Sequence, residues 1–149
     1  MALKDRLEAE LINALRNKNE VRKRTIRMVI SNIKLAEIDK KGILDDSGIF
    51  VSLYKEIKIR NETIEDAKKG NRDIIIKENE AEIAIIKEFL PQSLNDIDLN
   101  DLAKNVIQEL NANSIKDMGN VMKMMIERVK GQAPNDAISR VVKELLQNK

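Results

Sequence analysis

The sequence predicts an all-α protein, with an amino-terminal helical domain of about four helices and a small three-helix carboxy-terminal bundle. Three observations predict it. Apolar residues recur at three- and four-residue steps almost throughout, and no alternating strand pattern or Asn-Gly hairpin signal interrupts them. Glycine or proline then punctuates the runs at Gly42, Gly70, Pro91, Gly131 and Pro134.

A first helix is expected from about Leu3 to Asn17, with Leu3, Leu7, Leu11, Ala14 and Leu15 on one face. A second, from about Asn19 to Lys40, places Ile26, Val29, Ile33 and Ala36 on one face before a stop at Gly42, and should pack antiparallel to the first. Asp45, Asp46 and Ser47 are cap candidates for a third helix, which carries Phe50, Leu53, Tyr54, Ile57 and Ile64 and ends at Gly70. Asn71 is expected to cap a fourth, with Ile76, Ile83, Ile86 and Leu90, which Pro91 ends. The polar segment "PQSLNDIDLND" is the best boundary in the chain, dividing it into domains 1–93 and 94–149.

The second unit reads as helices Leu99–Leu110, Asp117–Lys130 and Pro134–Gln147. Its expected core is Leu102, Val106, Ile107, Leu110, Val121, Met125, Val129, Ile138, Val141, Val142 and Leu145, small enough that docking or oligomerisation would help it. In "KDMGNVMKMMIERVKGQAPND", Asp117 can cap the middle helix, and Val121, Met122, Met125 and Val129 form its buried stripe. Met124 falls off that stripe and is the exposed candidate, while Gly131 suits the left-handed position that ends the helix. Gly119 is anomalous, because a glycine there costs up to about 1 kcal/mol against alanine, which suggests fraying or close approach of a backbone or ligand.

Composition excludes much ordinary enzyme chemistry. The chain has no cysteine and no histidine, which removes thiol nucleophiles, thiolate metal sites and the commonest general base and metal ligand. No catalytic, metal or cofactor site is expected; the remaining carboxylates, lysines and hydroxyls form no Ser-Ser-Lys amidase arrangement. The densest carboxylate pairs, Asp45-Asp46 and Asp96-x-Asp98, sit where helix caps are needed. Only Phe50, Tyr54 and Phe89 are aromatic, which argues against stacking of single-stranded bases on aromatic platforms. No apolar run is long enough to span a membrane, so no membrane partner is expected. The charged start "MALKDRLEAE" has no signal-peptide core, from which a cytoplasmic location is expected and the "NET" at Asn61 is disregarded as a glycosylation site.

The net charge is only +2, but residues 1–60 carry 14 basic and 9 acidic side chains, so the basic excess is amino-terminal. It concentrates on the second helix. At 100° per residue Lys23, Arg27 and Lys34 lie within about 40° of one another, opposite the apolar arc, with Arg24 beside them. Such a stripe is a minimal footprint for the phosphates of structured RNA, or else an ordinary solvated face. In the second unit, Lys130-Gly131-Gln132-Ala133 and the following helix start form a candidate anion site, or else an ordinary joint between helices.

Lys116, Asp117, Met118, Gly119, Val121 and Met122, followed by Lys130, Gly131 and Ala133, resemble the "KDMGxVM…KGxA" signature of the GatB/YqeY domain family. "FLPQSL", Phe89 to Leu94, is similar to that family's aromatic-Leu-Pro linker, and "VRKRTIRMVISNIKLAEID" resembles its basic second helix. One departure is that the family continues Ala-Asp-Gly where this chain has Ala133-Pro134-Asn135-Asp136. The resemblance implies an amino-terminal helical domain and a bundle similar to the tail of the GatB subunit of tRNA-dependent amidotransferase, which contacts tRNA. The implied function is a non-catalytic accessory to tRNA or a tRNA-handling protein complex, with Lys23, Arg24, Arg27, Lys34, Lys116, Gly119, Lys130 and Gly131 as candidate nucleic-acid contacts. Two alternatives stay open: carbon–nitrogen ligase activity with glutamine as amido donor inside an amidotransferase complex, and a helical protein-interaction scaffold of undetermined oligomeric state.

Overall fold

The computed structural model describes residues 2–148, and all regular structure among them is helical. In chain order the helices are α1 (Leu3–Arg16), α2 (Glu20–Lys40), α3 (Asp46–Lys69), α4 (Asp73–Lys87), α5 (Asp96–Glu109), α6 (Met118–Val129) and α7 (Asn135–Gln147), with a 3₁₀ turn (Ile115–Asp117) before α6. They form two compact units that divide between Leu90 and Pro91.

The first unit is built from antiparallel neighbours. Lys4 pairs with Glu37 and Arg22 with Glu10, which sets α1 against α2 head to tail. Asn32 meets Glu56 and Arg60 meets Glu82, which does the same for α2 with α3 and for α3 with α4. Leu3, Leu7, Ile26, Val29, Ile33, Ile49, Leu53, Ile86 and Phe89 form the core. Leu15, expected on the buried face of α1, is 46% exposed because Ala14 fills the last core position of that helix. The buried stripe of α3 is Ile49, Leu53, Glu56, Arg60, Ile64 and Ala67, so it contains two charged residues.

Asp45 caps α3 as expected, but Asn95 rather than Asp96 or Asp98 caps α5, and Asn19, not expected as a cap, caps α2. Asn19 accepts from the Arg22 N–H at 3.1 Å, Asp45 from the Gly48 N–H at 2.9 Å and Asn95 from the Asp98 N–H at 2.7 Å. The stops differ from expectation. The left-handed residues after α2 and α3 are Lys41 (φ 58°) and Asn71 (φ 53°), not Gly42 or Gly70. The N–H groups of Gly42 and Arg72 then close on the carbonyls of Glu37 and Ala67, so satisfied carbonyls offset the cost of a side chain in that region. Asn71 therefore ends α3 and does not cap α4, whose flanking residue Arg72 makes no side-chain cap.

The second unit packs α5, α6 and α7 around Leu99, Ala103, Val106, Ile107, Ala112, Val121, Met125, Val129, Ala133, Ile138, Val142 and Leu146. Leu110 is 37% exposed; on α7 Ile138 and Val142 are buried as expected, while Leu146 takes the deep position expected of Leu145, which with Val141 is half-buried against the same core. Met124 is also corrected: like Met118 and Met122 it is half-buried against this core. Asp117 makes no side-chain cap to α6; its carboxylate reaches back to accept from the Asn113 N–H at 3.0 Å, while Ser114 caps the 3₁₀ turn.

Candidate nucleic-acid interface

The basic helix α2 owes its orientation to what it buries. Thr25, Ile26, Val29 and Ile33 face inward, and the Thr25 hydroxyl is satisfied by donating to the Val21 carbonyl at 2.8 Å. Two charged clusters grip the helix from its flanks. On one side Arg22 donates to Glu10 at 2.8 Å and to Glu88 at 2.7 Å, and the two carboxylates, Glu10 foremost, raise its pKa above the usual guanidinium value. On the other, Asn32 donates to Glu56 at 2.6 Å and Met28 Sδ accepts from Arg60 at 3.1 Å. Arg60 in turn holds Glu56 at 2.6 Å and Glu82 at 3.0 Å, with its side chain only 5% exposed.

With those flanks fixed, the predicted stripe is turned outward but is unequal. Lys23 is half-buried and pairs with Glu20 at 2.8 Å. That hydrogen bond, with Arg27 and Arg24 nearby, holds the Glu20 carboxyl below its usual range. Arg24 is exposed and reaches Glu82 at 3.4 Å. Arg27 and Lys34 are exposed, and among the described residues no hydrogen bond or ion pair holds either side chain. The nearest acid to Lys34 along the helix, Glu37, is already engaged by Lys4 at 2.8 Å and by the Leu44 N–H at 2.9 Å, and these bonds, Lys4 foremost, lower its pKa. Two cations of the stripe are thus available to an external anion, and two are partly neutralised from within.

The candidates in the second unit do not form one site. Lys116 precedes α6 and Lys130 follows it, so the helix separates them by about 18 Å. Gly119 is exposed, and nothing lies within 4 Å of where its Cβ would be, so no backbone packs there. Lys130 (φ 50°) and Gly131 (φ 80°) are both left-handed. The N–H groups of Lys130 and Gln132 donate to the carbonyls of Ile126 and Val129, and the Gln132 carbonyl accepts from Leu94 at 2.9 Å. Two of the loop's amides, those of Lys130 and Gln132, are therefore spent on helix closure. A separate open concavity of about 580 Å³ is lined by Lys104, Gln108, Asn111, Asn113 and Asn148 over Ile107, Ala112 and Leu145. Among the described residues no group of three carboxylates converges as a metal ion would require, and no helix is long and apolar enough to cross a membrane.

Sequence reasoning missed Arg22, Glu56, Arg60 and Glu82. A signal for one pair existed: Glu56 and Arg60 stand at four-residue spacing inside the stripe Ile49, Leu53, Ile64 and Ala67, where solvated charges do not belong.

The fold and surface define an all-helical protein of two units, with an outward cationic helix face in the first. The chain belongs to the Yqey-like protein family, whose family model matches residues 4–146. Curated relatives include proteins named "Altered inheritance of mitochondria protein 41, mitochondrial". The one from Pyrenophora tritici-repentis is 25% identical over 95% of this chain and 79% of its own length. That from Lachancea thermotolerans is 35% identical over 70% of this chain and 57% of its own length. That from Saccharomyces cerevisiae is 30% identical over 85% of this chain and 67% of its own length. The expected cytoplasmic location is corrected by these names, which are those of mitochondrial proteins. The physical reason is that lacking an apolar h-region speaks only to secretion, whereas mitochondrial import reads a different, amphipathic and Arg-rich signal.

Proposed function

We propose that this chain is a non-catalytic RNA-binding accessory module, with tRNA as the RNA class, and that it binds through the outward face of α2. The observation that carries this reading is the contrast among its basic residues. Arg22, Arg60 and Arg128 are committed to carboxylates, whereas Arg27 and Lys34 share one exposed face with no hydrogen bond or ion pair among the described residues, acting on Glu20 and Glu37 only at longer range. Unpaired cations on a rigid helix release counterions from a phosphate backbone at no cost in broken internal ion pairs. The resemblance to the GatB tail supports tRNA over other structured RNA. The relatives' printed names carry an inheritance phenotype and a location, and no chemistry.

The test is a salt series of tRNA binding by the parent and by the Arg27→Glu/Lys34→Glu variant. Both side chains are exposed, so helicity should be unchanged. Each lost phosphate contact should reduce the slope of log K against log salt by roughly 0.7 to 0.9, and affinity should fall at least about tenfold. Unchanged slope and affinity in the folded variant would refute this function.

A further inference from the structure

The face that carries Arg27 and Lys34 is not simply basic. At 100° per residue the exposed arc of α2 runs, in angular order, through Lys34, Arg27, Ile38, Ser31, Arg24, Leu35 and Met28, spanning about 120°, with Glu20 at its amino-terminal end paired to Lys23. Leu35 is 60% exposed, Ile38 70% and Met28 40%, so large apolar side chains share the arc with the cations. A regular RNA duplex would cover these groups badly, because it offers a charged, hydrated backbone and a shallow groove of ribose hydroxyls. Unstacked bases in a loop present apolar faces that aliphatic side chains can cover, and guanidinium planes such as Arg24 and Arg27 can stack on them. The scarcity of aromatic residues does not oppose this, since aliphatic and guanidinium surfaces then supply the platform.

We infer that the α2 face takes a looped RNA segment with splayed bases in preference to a plain duplex, Arg27 and Lys34 holding phosphates while Leu35 and Ile38 cover base faces. The inference rests on the RNA reading above and names its substrate class. Charge complementarity of Arg27 and Lys34 commits the face to a polyanion, and the apolar groups beside them commit it to one with exposed bases.

The experiment compares an RNA hairpin with a blunt duplex of equal phosphate number, using the full chain, the Leu35→Gln/Ile38→Gln variant and the Arg27→Glu/Lys34→Glu variant. The glutamine variant keeps all charges and a helix-forming residue at each exposed site. It should lose about five- to tenfold in hairpin affinity, with duplex affinity and both salt slopes unchanged. Equal parent affinity for hairpin and duplex, or an equal loss on both, would overturn the inference while the charge variant still upholds RNA binding. Failure of the charge variant to weaken either RNA would sink the RNA reading itself. Tighter binding of an acidic amphipathic helical peptide than of the hairpin, abolished by the same glutamine changes, would assign the face to a protein instead.

Discussion

Replacing Arg60 with methionine tests the idea that buried charges lock α2 in place. The Arg60 side chain is 5% exposed, Glu56 10% and Glu82 12%, and the guanidinium donates to both carboxylates. Removing it leaves two largely buried anions about one side chain apart, with only Asn32 for Glu56 and the long contact from Arg24 for Glu82. Breaking a buried pair from one side costs roughly 3–5 kcal/mol, because an uncompensated charge remains. Replacing Arg60, Glu56 and Glu82 together with methionine and leucine removes the desolvation penalty along with the attraction and should recover most of the loss. Tyr54, the only tyrosine in a chain without tryptophan, lies in α3, so its fluorescence reports this unit alone during urea unfolding. With a urea slope of about 1.5 kcal/mol per molar, the single variant should lower the midpoint by about 2 M or more. A shift under about 0.5 M, or a triple variant as unstable as the single one, would show that the network does not hold the helices.

Arg22→Ala should cost less than about 1 kcal/mol despite two short ion pairs, because Glu10 and Glu88 are 33% and 53% exposed; a loss near that of Arg60 in the same fluorescence assay would contradict the ranking. The Glu37 carboxyl is held below its ordinary value of 4.5, Lys4 being the first cause, so its contribution is full above 4.5 and lost as pH falls through the lower folded value. The difference in urea midpoint between the parent and Glu37→Gln should therefore shrink from neutral pH to about pH 3, and a constant gap would count against the assignment. Gly131→Ala, at φ 80°, should cost about 1 kcal/mol and speed amide exchange at Val121, Met125 and Val129 about fivefold; unaltered exchange would show that the residue is not strained. Limited proteolysis should cut first between Leu90 and Leu94, since the Leu94 N–H is tied to Gln132 and Leu44 to Glu37; a first cut inside α6 would refute the division into domains.

How much was legible follows from the range of each interaction. Helix identity depends on residues a few positions apart, so the spacing of Ile26, Val29 and Ile33, the cap at Asp45, and the outward turn of Arg27 and Lys34 could all be read along the chain. The signature at Lys116–Met122 and Lys130–Ala133 likewise carried the family. Neighbouring arginines with the same propensity could not be sorted that way. Arg22 is held by Glu88, 66 positions away, and Arg60 by Glu82 across a helical hairpin, and only the packed helices bring those carboxylates within reach. The tie between the Leu94 N–H and the Gln132 carbonyl was likewise decided by tertiary geometry. Local periodicity determined which charges could face outward, but the distant acids determined which of them remain free, because a cation is neutralised by proximity in space and not by position in the chain.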